Sequence, residues 1–144
     1  MELSGLKLGT DIIIRDVEIW QGCFIKTYEV GAATASHSTG EDDEEVKEEK
    51  KPDLVIIHGY GSSGALWFKT YKEFANSFHC YFIDIIGMGA SSREPFNCRT
   101  ADETEAYMLK FVEAWRQEAN LTNFFLAGHS FGGWLAGLYA ATYP

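Results

Sequence analysis

Ser130 lies in the string Gly128-His129-Ser130-Phe131-Gly132-Gly133, a G-x-S-x-G pattern. The apolar run Asn123-Phe124-Phe125-Leu126-Ala127 before it reads as a short buried strand, and Trp134-Leu135-Ala136-Gly137-Leu138-Tyr139-Ala140-Ala141 after it reads as a helix rich in small residues. That order puts Ser130 on a strand-to-helix corner. So sharp a corner strains the serine backbone and leaves no room for side chains two residues to either side, which calls for Gly128 and Gly132. It also lifts the hydroxyl above the sheet at the positive end of the next helix, where developing negative charge is favoured. The chemistry that fits is nucleophilic attack on an acyl carbonyl. A tight turn with an incidental serine is the alternative, and a second feature upstream weighs against it.

That feature is Leu54-Val55-Ile56-Ile57-His58-Gly59-Tyr60-Gly61, an apolar strand ending in H-G-x-G. Acyl transfer needs two backbone N–H donors aimed at one developing oxyanion, one from the residue after the nucleophile and one from the loop after an earlier strand. Here those donors are the amides of Phe131 and Tyr60. His129, His58, Gly59 and Gly61 then support the elbow and the loop.

The elements that must hold these groups can be read in order. Residues 1–11 show no strong period and predict a loop or short helix. From Ile13 the chain alternates apolar and polar, turns at Gln21-Gly22 and continues through Cys23–Val30, which predicts an opening β-hairpin. Residues 31–51 are first small and polar and then almost wholly charged, so they offer nothing to bury and predict a disordered acidic insertion. The core is expected over 52–144. After the strand ending at His58, Ser63-Gly64 opens a helix with Trp67, Phe68, Tyr71 and Phe74 on one face, followed by a strand at Cys80–Asp84. Thr100-x-x-Glu103 is a capping box, Met108, Phe111, Val112, Trp115 and Ala119 form the stripe of its helix, and Asn120 ends it. In the last helix Gly133, Ala136, Gly137, Ala140 and Ala141 predict a close approach to the sheet.

Composition excludes several classes. The 144 residues carry a net charge of −9, which argues against a polyanion-binding surface and so against nucleic acid as a partner. Seven tyrosines, ten phenylalanines and four tryptophans leave room for an apolar contact with lipid. Cys23, Cys80 and Cys98 are odd in number and lack metal-ligand spacing, so free thiols in a reducing compartment are expected, with no metal and no cofactor. No run approaches a membrane span, and Met1-Glu2-Leu3-Ser4 lacks the basic start of a signal peptide. The expectation is a cytoplasmic protein, at most peripheral to membranes, lipid droplets or mitochondria. The string Gly87-x-Gly89-x-x-Ser92 is no dinucleotide loop, because Arg93-Glu94-Pro95 stops a helix from starting there.

Together the H-G-x-G and G-H-S-F-G strings make this sequence resemble the α/β-hydrolase superfamily. The segment Asp84-Ile85-Ile86-Gly87-Met88-Gly89-Ala90-Ser91-Ser92-Arg93, with Glu113-Ala114-Trp115-Arg116, Gly133-Trp134-Leu135-Ala136 and Tyr143-Pro144, is similar to one of its subfamilies. That subfamily holds lysophospholipases, N-acylphosphatidylethanolamine lipases, cardiolipin deacylases and a silent lipase coactivator of lipid droplets. The resemblance covers residues 52–144 well and 10–30 loosely. It implies an α/β fold, with an opening β-hairpin and then parallel strands flanked by helices. It also implies a serine carboxylic-ester hydrolase acting on phospholipid or lysophospholipid acyl esters. In the coactivator an asparagine replaces the nucleophile, whereas this chain keeps Ser130. A non-catalytic lipid-metabolism interaction protein, or an inactive truncated hydrolase, is the rival reading.

A serine hydroxyl requires a base and a carboxylate that orients the base, and in this superfamily both follow the nucleophile in sequence. After Ser130 this chain has neither an acid nor a histidine. His58 and His129 are expected to be structural, His37 falls in the acidic insertion, and His79 is expected at the far end of its strand. Some subfamily members are credited with acyl transfer through an H-x-x-x-x-D motif, and two such strings occur here, His37 to Asp42 and His79 to Asp84. The second spans five strand residues, so its side chains face oppositely and lie ~17 Å apart. Asp84 stays a candidate structural or alternate acid. The expectation is the N-terminal half of a hydrolase (an incomplete gene model, a truncated isoform or a split protein), with Phe124-Phe125-Leu126 left as a bare apolar edge.

Overall fold

The computed structural model describes residues 2–3, 5–32 and 51–144; the expected acidic insertion falls almost wholly on 33–50 and lies outside the described residues. Among the described residues seven strands and three α-helices follow in order: β1 (Glu2–Leu3), β2 (Leu6–Lys7), β3 (Ile12–Trp20), β4 (Cys23–Val30), β5 (Asp53–Ile57), α1 (Tyr71–Ser77), β6 (His79–Ile83), α2 (Ala101–Glu118), β7 (Phe124–Gly128) and α3 (Phe131–Thr142). The main sheet has the order β3-β4-β6-β5-β7. β3, β4 and β6 pair antiparallel, and β6, β5 and β7 pair parallel.

Parallel strands buried on both faces should read as continuous apolar runs, and Leu54–Ile57 and Cys80–Ile83 do so. Their alternation divides the core in two. Val55, Ile57, Tyr81 and Ile83 pack with Ile25, Trp115 and Leu135 beneath α2 and α3. Leu54, Ile56, Cys80 and Phe82 pack with Tyr28, Val30 and Tyr71 beneath α1. Thr27, fully buried on β4, is satisfied by the Trp115 indole N–H at 2.9 Å, which ties α2 to the sheet.

Register decides where the site lies. Ile57 pairs with Ile83 on one side and with Gly128 on the other, so three parallel strands end level. His58-Gly59, Asp84 and His129-Ser130 therefore leave the sheet at one edge, the carboxyl edge at which open α/β sheets hold ligands.

Three local expectations needed correction. Residues 1–11 contain the short antiparallel pair β1–β2 where a loop or helix was expected. The helix expected from Ser63 is split into a 3-10 turn over Gly64–Trp67 and α1, because Ser63 and the Tyr71 hydroxyl take up its first polar groups. In α3 the buried face is Gly132, Leu135, Ala136 and Tyr139. Gly137, Ala140 and Ala141 face outward, so the close approach comes from the first turn and not from a stripe of small residues. The expected capping box and the Asn120 stop are present, with Asn120 at φ 54°. β7 has one sheet neighbour, and Phe125 on it is 59% exposed.

Candidate functional site

Ser130 is the N-cap of α3 and sits at φ 54°, ψ −120°. A non-glycine residue there carries about 1–3 kcal/mol of strain that the surroundings must hold in place. They do so through backbone contacts. The His129 amide donates to the Ile57 carbonyl at 3.0 Å, and the Gly133 and Trp134 amides donate to the Ser130 carbonyl at 2.9 and 3.1 Å. A Cβ on Gly128 would overlap the Gly132 carbonyl, and one on Gly132 would overlap the carbonyls of Ile57 and His58. Both positions admit only hydrogen, and the elbow is pressed against the end of β5. Ser130 itself is exposed.

The H-G-x-G loop comes to the same corner. A Cβ on Gly59 would lie 3.3 Å from Ser130 Cβ and 3.1 Å from His129 Nδ1. The Tyr60 ring meets the Phe131 ring edge-on at 6.4 Å. Among the described residues no backbone acceptor takes the amide of Tyr60 or of Phe131. Gly61, at φ +66°, turns the loop back, and the Ser62 amide donates to Gly59 at 3.2 Å.

None of the described histidines is placed to deprotonate the serine. His58 is fully buried; its Nδ1 donates to the Gly59 carbonyl at 2.6 Å, and its Nε2 accepts from the Ile85 amide at 3.0 Å. With one nitrogen donating and the other accepting, the ring is neutral. Its 3.9 Å approach to Asp84 is therefore not an ion pair. His129 is exposed and edge-on to Trp67 at 6.2 Å. His79 opens β6 and sits between Asp53 at 2.9 Å and Glu29 at 2.8 Å. That hydrogen bond and the nearby Arg15 hold the Glu29 carboxyl below its ordinary range, against its burial. His37 lies outside the described residues. Among those described, no side chain hydrogen-bonds the Ser130 hydroxyl.

Asp84 has a role that the sequence left open. Fully buried, it accepts from the Ser63 hydroxyl at 2.9 Å, the Gly64 amide at 2.6 Å and the Ala90 amide at 2.7 Å. Its carbonyl takes the Ser91 hydroxyl at 2.7 Å, and a Cβ on Gly89 would collide with its carboxylate. Arg93 closes this loop by donating to the carbonyls of Met88, Gly89 and Ser91. Asp84 thus fixes the loops after β5 and β6 and is spent as a scaffold. The signal was the D-x-x-G-x-G-x-S-S-R string, whose acid and second glycine meet in space. No group of three or more metal-ligating side chains occurs among the described residues, and no described helix is long and apolar enough to cross a membrane.

The family profile described as alpha/beta hydrolase fold matches residues 52–144. A rice protein (Oryza sativa subsp. japonica) named a probable 1-acylglycerol-3-phosphate O-acyltransferase is 45% identical over 97 residues, 67% of this chain and 23% of that protein. The chain thus spans about a quarter of the length of the curated relatives it matches. A membrane phospholipase A described as a bacterial virulence factor superposes with a TM-score of 0.68 at 24% identity, covering 94% of this chain and 37% of that one. A haloalkane dehalogenase loop variant from Bradyrhizobium elkanii superposes at 0.69 and 22% identity, covering 93% and 37%. At such identities the superpositions speak for the fold alone.

Proposed function

Because the chain belongs to the alpha/beta hydrolase fold family, we propose that Ser130 is the nucleophile of a serine carboxylic-ester hydrolase acting on phospholipid or lysophospholipid acyl esters. The observation that carries this reading is an exposed serine at φ 54° on a strand-to-helix corner, with the H-G-x-G loop packed against it. Strain of that kind persists where function requires it.

In the proposed reaction the Ser130 oxygen bonds to the acyl carbon while its proton passes to a base. The carbonyl oxygen becomes an oxyanion facing the Tyr60 and Phe131 amides at the start of α3. The alkoxy group then leaves with a proton, and water releases the acyl group by the same path. Each amide contributes about 2.7–4 kcal/mol in comparable sites. None of this chain's described histidines supplies the base, so the reaction requires an imidazole and a carboxylate from outside them. Peripheral contact with a membrane, a lipid droplet or a mitochondrion belongs to the same proposal, as does a cytoplasmic location.

The rice relative's name would make the acyl acceptor a lysophospholipid hydroxyl instead of water. Hydrolysis is the better reading here, because His79 and Asp84 stand at opposite ends of β6, each engaged elsewhere. A non-catalytic partner protein is the second reading, and the Ser130 hydroxyl, without a hydrogen-bond partner among the described residues, favours it.

A fluorophosphonate probe separates the two. Labelling at Ser130, abolished by Ser130→Ala, is expected about a thousandfold faster in a longer protein that supplies the histidine and acid than in these 144 residues. No labelling in either leaves the partner-protein reading standing, and fast labelling of the 144 residues would mean that the base lies within them.

A further inference from the structure

We infer that Tyr60, Phe131 and Trp134 form an aromatic track that carries the uncharged hydrocarbon of an acyl group away from Ser130, so that the site selects esters whose acyl chain is long and uncharged; this rests on Ser130 being the nucleophile. The three rings are continuous: Tyr60 meets Phe131 edge-on at 6.4 Å, and Phe131 stacks on Trp134 at 5.1 Å with 28° between planes. The track starts at the reacting atom. Phe131 follows Ser130 directly, Trp134 lies one helical turn on, and Tyr60 follows Gly59, the residue pressed against Ser130.

Phe131 leans on the core, but packing does not account for the other two side chains. Tyr60 is 80% exposed and Trp134 is 41% exposed, although both are large and mostly apolar. Charge is also absent from the segments that bear them. Residues 54–68 and 119–144 contain no Asp, Glu, Lys or Arg, in a chain that is 23% charged. A ligand lying along the track meets flat apolar faces and no ionic partner from these segments, which suits methylene groups and disfavours a charged terminus.

The test uses the 144-residue chain with Ser130→Ala, titrated with methyl ketones from butan-2-one to decan-2-one, which bring a carbonyl and an alkyl chain but no reaction. Affinity is expected to rise about twofold per added methylene, against about fourfold for a fully buried one. Trp134→Ala and Tyr60→Ala should each weaken decan-2-one about tenfold and leave butan-2-one within twofold. Phe125→Ala, on the distant β7 edge, should change neither. A flat chain-length series, or one that both ring deletions leave intact, overturns the track. Tyr60 is so exposed that its deletion keeps the test open even if Trp134→Ala does not fold. Failure of fluorophosphonate labelling in the longer protein with Ser130 intact, while the ketone series holds, would count against Ser130 as nucleophile and leave an alkyl-binding track. Labelling with a flat series would count against the track alone.

Discussion

At Gly132 a single methyl group would run into the carbonyls of Ile57 and His58, and at Gly89 it would strike the Asp84 carboxylate. Both are close approaches of backbone to a fixed polar group, so neither neighbour can yield cheaply. Gly132→Ala is expected to cost about 3 kcal/mol, read as a shift of the urea midpoint without a change of slope. Asp84→Asn should cost about as much, since it turns an acceptor for four donors into a group with two N–H donors of its own. The motif glycines were legible because a strained elbow and a crossing loop leave room only for hydrogen. Asp84 was legible as a motif letter, whereas its employment as a scaffold depended on Ser63 and Gly64 arriving from the loop after β5 and on its own loop folding back at Ala90.

Among the elements, α3 begins just after Ser130, the proposed nucleophile, and is anchored at both ends. Its first turn is held by β5. Its far half is held by Tyr139, whose hydroxyl donates to Glu113 on α2, while Arg116 donates to the same carboxylate through Nε at 2.9 Å and Nη2 at 2.7 Å. The Arg116 guanidinium, with help from Tyr139 and Gln117, holds the Glu113 carboxyl down to about 2 from its ordinary 4.5. A carboxyl depressed in the fold stabilises it above the unfolded value and loses that contribution as pH falls. The helix tether should therefore be whole above pH ~5 and fade between about 4.5 and 2. Glu113→Gln is expected to cost about 1 kcal/mol at pH 7, since the pair is partly open to solvent, and clearly less at pH 2, where the carboxyl is about half protonated. Urea unfolding of both proteins at pH 7, 4 and 2 would check this. The sequence showed Glu113-Ala114-Trp115-Arg116 as part of a resemblance, but its partner Tyr139 lies 26 positions on and has no local signature.

At the scale of the whole chain, the β7 edge is where association is expected. Among the described residues β7 is a terminal strand of the sheet, and Phe125 on it is 59% exposed, with Phe78 edge-on at 5.7 Å. An open apolar strand edge templates pairing with another chain. Phe125→Lys should lower concentration-dependent association in sedimentation velocity, with a stability loss of about 1 kcal/mol or less for the lost ring contact. Unchanged association would mean that this edge takes no part in it.

From the sequence alone came the order of the main-sheet strands and the helices after Ile12, the elbow, the H-G-x-G loop and the capped helix at Thr100, but not the β1–β2 pair. Each of these is written in neighbouring residues, as alternation, small-residue spacing or a side chain reaching its own backbone. The tertiary structure decided what local pattern cannot carry. It set the level ending of β5, β6 and β7 that brings residues 59 and 130 together, the buried neutral state of His58, the outward face of α3 and the assignment of Asp84 to the loops. All of these depend on which distant groups share a small, dry volume, and burial there fixes partners that spacing along the chain does not encode.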